Sequence, residues 1–213
     1  TCLLHYLHGM YHVPYFKTVE QLQVIQFMRE HPFVTIVGTD VAGLPVASHV
    51  PVLLEERDNQ LFLLGHFMRK QEHTIALEHN PQALAIFHGP HAYVSAQWYD
   101  PQNVASTWNY MTVHARGKMK FLDEQALIDF LGRLTDHFEG VQDSPAALAK
   151  MDSQYVQQMA KAIVAFEMQV TELEHVFKLS QNKPEAVRQN IIGHLEKGDA
   201  AAQAVANAMK HIQ

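Results

Sequence analysis

Two stretches of this chain have residue types and spacings suited to chemistry. The first is LLGHFMRKQEHTIALEHNP, Leu63 to Pro81, in which an apolar run ends in Gly65-His66 and Arg69-Lys70 opens a segment of helical period. A helix start attracts an anion, because its first N–H groups are unpaired and its dipole is positive there. Two cations at that end suit a phosphate, the arginine as a planar fork and the lysine as a point charge. The same pair would equally serve as a solvated helix start. The second stretch runs from His88 to Gly117, where two Trp, three Tyr, three His and Asn109 are interleaved with strand-like runs. The rings of Trp108 and Tyr110 and the amide of Asn109, with Trp98 and Tyr99 across a polar loop, suit a flat ligand with hydrogen-bonding edges.

Two smaller groups add donors. Lys178-Leu179-Ser180-Gln181-Asn182 follows a strand-like run and precedes Pro184. Its ammonium, hydroxyl and two amides can donate to ligand oxygens, or the segment is a helix-entry loop in which Ser180 or Asn182 caps its own backbone. His49, on a β-like run, can carry charge near neutrality or stand as an ordinary hydrogen-bonded strand residue. His88, His91 and His114 raise the question of zinc. Their spacing does not aim three imidazoles at one point, and no thiolate or carboxylate accompanies them, so no metal site is expected. No pair of titratable residues is arranged as acid and base, so catalytic residues stay unassigned.

The elements that must position these groups follow from periodicity. At 213 residues and 47% apolar, the chain can bury one sizeable core, so one main domain with a helical appendage is expected. Val19 to Arg29 has roughly helical spacing, ended by His31-Pro32. Phe33 to Thr39 and VASHVPVLLEE from Val46 read as a hairpin about Asp40 to Gly43. RDNQ at Arg57 then turns the chain into LFLLGH. A helix from Arg69 to His79, with Ile75, Ala76 and Leu77 inward, stops at Asn80-Pro81. ALAIFH from Ala83, a turn over His88 to His91, a strand AYVSAQW, a polar loop from Asp100 to Thr107 and a long strand Trp108 to Leu122, broken by Gly117, complete six β segments. Short turns between so many strands predict a small antiparallel barrel, whose closure removes exposed edges. Asp123 caps a predicted helix through Phe138, with Leu127, Phe130, Leu131 and Leu134 on one face. A short helix over Met151 to Lys161, a last long strand or bent strand pair over Ala162 to Ser180 and a helical hairpin from Pro184 follow. The expected class is α+β, with residues 1–9 a loose extension, 10–182 the barrel domain, and 183–213 the hairpin packed on the barrel or on a dimer mate.

Charge narrows the partners. Sixteen Lys and Arg against 22 Asp and Glu leave a net charge of -6, which argues against a broad nucleic-acid surface. The final helix carries Lys210 as its one firm cation, so a base-reading helix-turn-helix is poorly supplied. A single cysteine, Cys2, gives no disulfide framework, and a reducing cytoplasm is the expected home. No run is long enough to span a bilayer, so no membrane partner is expected.

The Leu63 to Pro81 stretch resembles the phosphate site of the split-barrel flavoproteins of the pyridoxamine-phosphate oxidase superfamily, with Arg69, Lys70, Asn80 and Pro81 at the matching positions. A more distinctive resemblance is to the PaiB-like family, named as FMN-binding negative transcriptional regulators. It is carried by PVASHVPVLLEE, GHFMRKQ, FHGPHAYVSAQWY, STWNYMTVHARG and KLSQNKP, which together span nearly the whole chain from Met10. The resemblance implies a split β-barrel and FMN as cofactor. It also implies a homodimer with the flavin site at or near the interface. The implied cofactor-binding residues are His49, Gly65, His66, Arg69, Lys70, Trp108, Asn109, Tyr110, Lys178, Ser180, Gln181 and Asn182. The chain departs from the oxidase branch on the second strand, where Ser48-His49 and Glu55 stand in place of basic residues, so a differently built phosphate site is expected. The function implied is a flavin-dependent redox or sensing protein with an indirect role in negative transcriptional regulation. The alternative is a repressor acting by DNA or protein binding with no catalytic flavin.

Overall fold

The computed structural model describes residues 20–99, 104–141 and 144–212. The expected loose extension over residues 1–9 and the first part of the polar loop after Tyr99 lie outside them. The described elements are α1 (Gln21–Glu30), β1 (Phe33–Thr39), β2 (Pro45–Pro51), β3 (Leu53–Arg57), β4 (Gln60–Met68), α2 (Glu72–His79), β5 (Gln82–Val94), β6 (Thr107–Phe121), α3 (Glu124–Glu139), α4 (Ser153–Ala162), β7 (Ile163–Lys178), α5 (Glu185–Leu195) and α6 (Ala200–His211). The strands form one sheet in the order β2-β1-β5-β6-β7-β4-β3. Two compact units divide the chain: a strand-rich unit of residues 29–87 and 114–173, and a terminal unit built from the described residues through Met28, of 88–113 and of 174–212. The long strands β5, β6 and β7 contribute residues to both.

In the strand-rich unit, β1 and β2 form the expected hairpin, with Thr35 opposite His49 and Thr39 opposite Pro45. Its turn is shaped by the Asp40 carboxylate, which accepts from the Ala42 and Leu44 N–H groups at 2.8 Å each. The run from Val46 to Glu56, expected as one strand, is two. Pro51 has no N–H with which to extend a ladder, and the Val52 N–H donates to the Pro32 carbonyl at 2.9 Å. Past this point β3 leaves β1 and pairs instead with β4, Leu53 opposite Leu64. The consequence reaches across the sheet. β2 and β3 stand at opposite ends of the strand order yet are separated by Val52 alone. In a flat sheet they would lie about 29 Å apart, six spacings of roughly 4.8 Å, so the sheet must curl until its ends meet.

The β3–β4 turn uses Asp58 and Asn59 at φ 51° and 60°, the left-handed conformations that a two-residue hairpin loop requires. One side of the unit is closed by α3 and α4. Leu127, Phe130 and Ala160 pack on Leu53, Leu64, Ile163 and Ala165, with Leu131 and Leu134 at the margin. Asp123 caps α3 by accepting from the Ala126 N–H at 2.9 Å, and Gly140 ends it at φ 64°. The helix α2 begins at Glu72, not at Arg69 as expected. The Arg69 N–H donates to the Ala162 carbonyl at 2.8 Å, which prolongs the β4–β7 ladder by one bond and holds Arg69 out of the helix. Thr74, Ala76 and Leu77 face inward, whereas Ile75 is exposed, because three successive residues cannot share one helix face at 3.6 residues per turn. Leu77 sits over Gly38, where an added Cβ would meet it at 2.8 Å.

The terminal unit departs from expectation at two places. The segment His88 to His91 is not a turn, since β5 runs through it. Burial alternates on Ala83, Ala85 and Phe87 and then on Ala92 and Val94, so the inward phase shifts by one residue across that segment. Pro90 is tolerated because β1 pairs with β5 only from Leu84 to Phe87. Trp98 is not on a strand. Ser95 ends β5 by accepting from the Gln97 N–H, and a single 3-10 turn, Ala96–Trp98, follows. The last two helices form as expected, with Asp199 capping α6 through the Ala202 N–H at 2.9 Å. Arg188 of α5 donates to the Met209 carbonyl at 2.7 Å, holding the end of α6. In the strand-rich unit, Gly117, read as a break in β6, lies within the unbroken strand, where an added Cβ would be 2.2 Å from the Gln169 carbonyl oxygen.

Candidate functional site

The candidate residues fall into both units. In the strand-rich unit, β4 delivers Gly65, His66, and then Arg69 and Lys70 in the turn that follows. Gly65 is buried against Phe166, whose ring would lie 2.4 Å from an added Cβ, so only glycine lets the strand and the ring approach this closely. His66 points the other way along the pleat, with its ring 6.0 Å from Phe130. Its Nδ1 is buried and has no hydrogen-bond partner among the described residues. Burial holds the His66 pKa below its ordinary value, so this imidazole is neutral near pH 7 and can donate or accept. Arg69 is exposed, and one guanidinium nitrogen donates to the Ile163 carbonyl at 2.8 Å. Lys70 is exposed in the turn. The two cations therefore precede α2 by a short turn, and Gln71, which carries no side-chain cap bond, is the residue at its N-terminus. His49 lies exposed on β2, stacked on Phe33 at 6.4 Å. Asn80 is the C-cap of α2 and accepts from the Gln82 N–H at 3.3 Å. Glu55, noted for replacing a basic residue, is in ion pairs with Arg57 and Arg133.

In the terminal unit, strand alternation separates Asn109 from its neighbours. Trp108 is 52% exposed, 5.9 Å from Tyr93 edge-on and 6.2 Å from His91. Tyr110 is half-buried, two residues along on the same face. Asn109 points to the opposite face and is fully buried. Its Nδ2 donates to the Ser180 hydroxyl at 3.0 Å and contacts the Met209 sulfur at 3.4 Å, while the Ser180 hydroxyl is 3.1 Å from Asn109 Oδ1. The amide that sequence reasoning grouped with the two rings thus ties β6 to α6. Trp98 lies flat on His194 at 4.9 Å, and Asn190 donates to the Trp98 carbonyl at 2.6 Å, so this ring packs on α5.

The segment after β7 is folded on itself. Ser180 takes φ 60°, and Gln181 accepts from the Leu179 N–H at 2.7 Å while its Nε2 donates to the Phe177 carbonyl. Gln181 therefore serves the turn, whereas the Ser180 hydroxyl is engaged by the Asn109 side chain and not by its own backbone. Asn182 is exposed. Lys178 donates to the Thr107 hydroxyl. Its pKa is lowered, chiefly by burial and further by Lys183, a second cation that sequence reasoning left out although it closes the KLSQNK run. Lys183 lies 5.3 Å from the Tyr99 ring, and burial raises the Tyr99 pKa against the opposing hydrogen bond from Ser180. Among the described residues no group of three or more His, Cys, Asp or Glu side chains could hold a metal ion.

Each unit offers groups of a kind that a mononucleotide flavin uses: the strand-rich unit has exposed cations for a phosphate and a buried imidazole nitrogen with no hydrogen-bond partner among the described residues, and the terminal unit has an exposed tryptophan face for a ring. Comparison with known proteins decides the family. A family described as "Putative FMN-binding domain" matches residues 10–172.

The chain belongs to this FMN-binding family. FMN is accordingly its cofactor, and the PaiB-like resemblance stands. A Bacillus subtilis protein named protease synthase and sporulation protein PAI 2 is 33% identical over 187 residues, covering 88% of this chain and 89% of that one. Among solved structures, the FAD and heme binding protein of Mycobacterium smegmatis superposes with a TM-score of 0.57 at 16% identity, covering 76% of this chain and 72% of that one. A conserved hypothetical protein of Mycobacterium tuberculosis does so with a TM-score of 0.57 at 12% identity, over 83% and 95%. At such identities the likeness is one of fold, and it places the FMN-binding family member among α+β split barrels.

Proposed function

We propose that this member of the family is a flavin-dependent redox or sensing protein, a cytoplasmic homodimer with the flavin site at or near its interface. Its influence on transcription would be negative and indirect. Arg69 and Lys70 hold the FMN phosphate, with the neutral His66 as a hydrogen-bonding neighbour. Trp108 and Tyr110 offer their faces to the ring, and Lys178 and Asn182 donate to flavin oxygens. Gly65, Asn109, Ser180 and Gln181 support these groups through the packing and turn contacts described above, and His49, exposed on β2, is a further cofactor-binding candidate. When bound, FMN supplies the electron transfer, while the chain's part is to bind, orient and shield.

The observation that carries this reading is the open aromatic face of Trp108, flanked by Tyr93 and His91 on central strands of the sheet. A tryptophan half in water on such a strand is what a stacking surface for a flat ligand or a partner subunit requires. The Bacillus relative's name links it to protease synthesis and sporulation, which supports a regulatory context. Direct DNA reading is the less supported alternative. In α6, Val205, Ala206 and Met209 are buried, and Lys210 is ion-paired with Glu196. Among the described residues no helix is long and apolar enough to cross a membrane.

The test is an FMN titration of the purified protein, followed by its visible absorption and by sedimentation. Saturable binding to a dimer is expected. Absence of binding at high micromolar flavin would remove the flavin reading, and a sedimentation coefficient of a monomer would remove the dimer. Steep salt-dependent binding to its own promoter fragment would instead favour the repressor.

A further inference from the structure

The strand-rich unit contains a second candidate site that the flavin reading does not use. A cavity of about 280 Å³ opens where α1, the β2–β3 junction and α3 meet. Its floor is apolar, formed by the buried Val52 and Leu53 with the half-buried Leu54 and Pro32 beside them. Its polar lining is Arg29 from the end of α1, and Arg133 and His137 from α3, with the two arginines cationic. Arg133 and His137 are four residues apart, so both project from one face of the helix. Arg29 comes from a different element, so the two arginines enter the lining from separate helices.

The guanidinium groups are held in position by acidic partners on β3. Arg29 Nη2 is 2.7 Å from Glu56 Oε1, and Arg133 is paired with Glu55. The arginine side chains are 48% and 49% exposed, so both pairs sit in a screening environment where an incoming carboxylate can take a share of the guanidinium donors. Each guanidinium has five donors in a planar fork, more than one carboxylate can engage. An apolar floor below such a rim recognises a molecule that is apolar at one end and anionic at the other. The volume lies just below the usual range for drug-sized ligands, which limits the occupant to a small molecule.

We propose that this cavity binds a small organic carboxylate, its apolar body on Val52, Leu53 and Leu54 and its carboxylate between Arg29 and Arg133. Because the floor includes Val52, the residue at which the two ends of the sheet meet, the ligand would brace the junction between β2 and β3. The site is independent of the flavin assignment.

The experiment uses FMN-saturated protein with labelled Leu and Val methyl groups, titrated by NMR with benzoate, benzyl alcohol and inorganic phosphate in turn. Saturable shifts confined to Val52, Leu53 and Leu54 are expected with benzoate. Benzyl alcohol should bind at least ten times more weakly, and phosphate should not saturate. The Arg29→Gln/Arg133→Gln double variant should weaken benzoate by at least ten-fold. Leu54→Trp, which fills the cavity and leaves both arginines in place, should do the same if the double variant does not fold. Absence of saturable benzoate shifts would overturn the proposal. So would equal binding of benzyl alcohol, phosphate binding as tight as benzoate, or unchanged benzoate affinity in a folded variant. FMN titration of Leu54→Trp should match the unaltered protein, which separates failure here from failure of the flavin reading.

Discussion

At the scale of single residues, neighbouring side chains divide between structure and function. Arg69 donates to the Ile163 carbonyl, whereas Lys70 stands in the exposed turn. Lys70→Ala should therefore weaken FMN by about ten-fold, the loss of one charge-assisted contact, while leaving riboflavin affinity and thermal stability unchanged. The Arg69→Ala/Lys70→Ala pair should weaken FMN far more than riboflavin, because only FMN presents the anion. Equal losses for both ligands would contradict the phosphate assignment. Asn109 and Trp108 make the opposite contrast. Asn109→Ala removes a buried amide and takes one hydrogen-bond partner from the Ser180 hydroxyl, so the flavin-free protein should lose about 1–3 kcal/mol in denaturant unfolding. Trp108→Ala should leave that stability within about 1 kcal/mol, as expected of a half-exposed ring, and instead reduce flavin affinity. A Trp108 variant that unfolds readily but binds flavin normally would reverse the two roles.

At the scale of elements, the fold depends on a few chain-direction devices. The helix α3 supplies both the lid over Leu53 and Leu64 and the Arg133 rim, and it begins at the Asp123 cap. Asp123→Ala should cost about 0.5–2 kcal/mol, measured by urea unfolding. The β3–β4 hairpin depends on Asp58 and Asn59 in left-handed conformations. Asn59→Gly should be neutral or stabilising by up to about 1 kcal/mol, whereas Asn59→Val, β-branched at positive φ, should destabilise. If both substitutions behaved alike in thermal melts, the turn would not have the conformation described.

At the scale of the whole molecule, buried imidazoles make stability depend on pH. Burial lowers the pKa of His66, His73 and His31 below the ordinary 6.5, with nearby Glu72 and Glu30 opposing the shift at the latter two. Below pH 6.5 the unfolded chain therefore binds protons that the folded chain refuses. Stability is fully present above that value and falls as pH drops from it toward the lower folded pKa values. Urea midpoints should accordingly be lower at about pH 5.5 than at about pH 7.5, and His66→Phe should flatten the difference. A midpoint that rises on acidification would contradict the burial of these rings.

Local chemistry was readable before any coordinates. Strand and helix periods, the Asp123 cap, the Asp-Asn turn and the motifs of an FMN-binding split barrel depend on residues near one another in the chain, and each left its pattern there. Three-dimensional contacts decided the rest. The break at Val52 follows from Pro51 together with a carbonyl twenty residues upstream, at Pro32, and the start of α2 is set by the Ala162 carbonyl, contributed from beyond α3. The inward turn of Asn109 depends on Ser180 and Met209, which chain order places far away. A side chain's direction on a strand follows from the pleat, but whether that direction meets solvent, a core or a partner is fixed by what packs on each face.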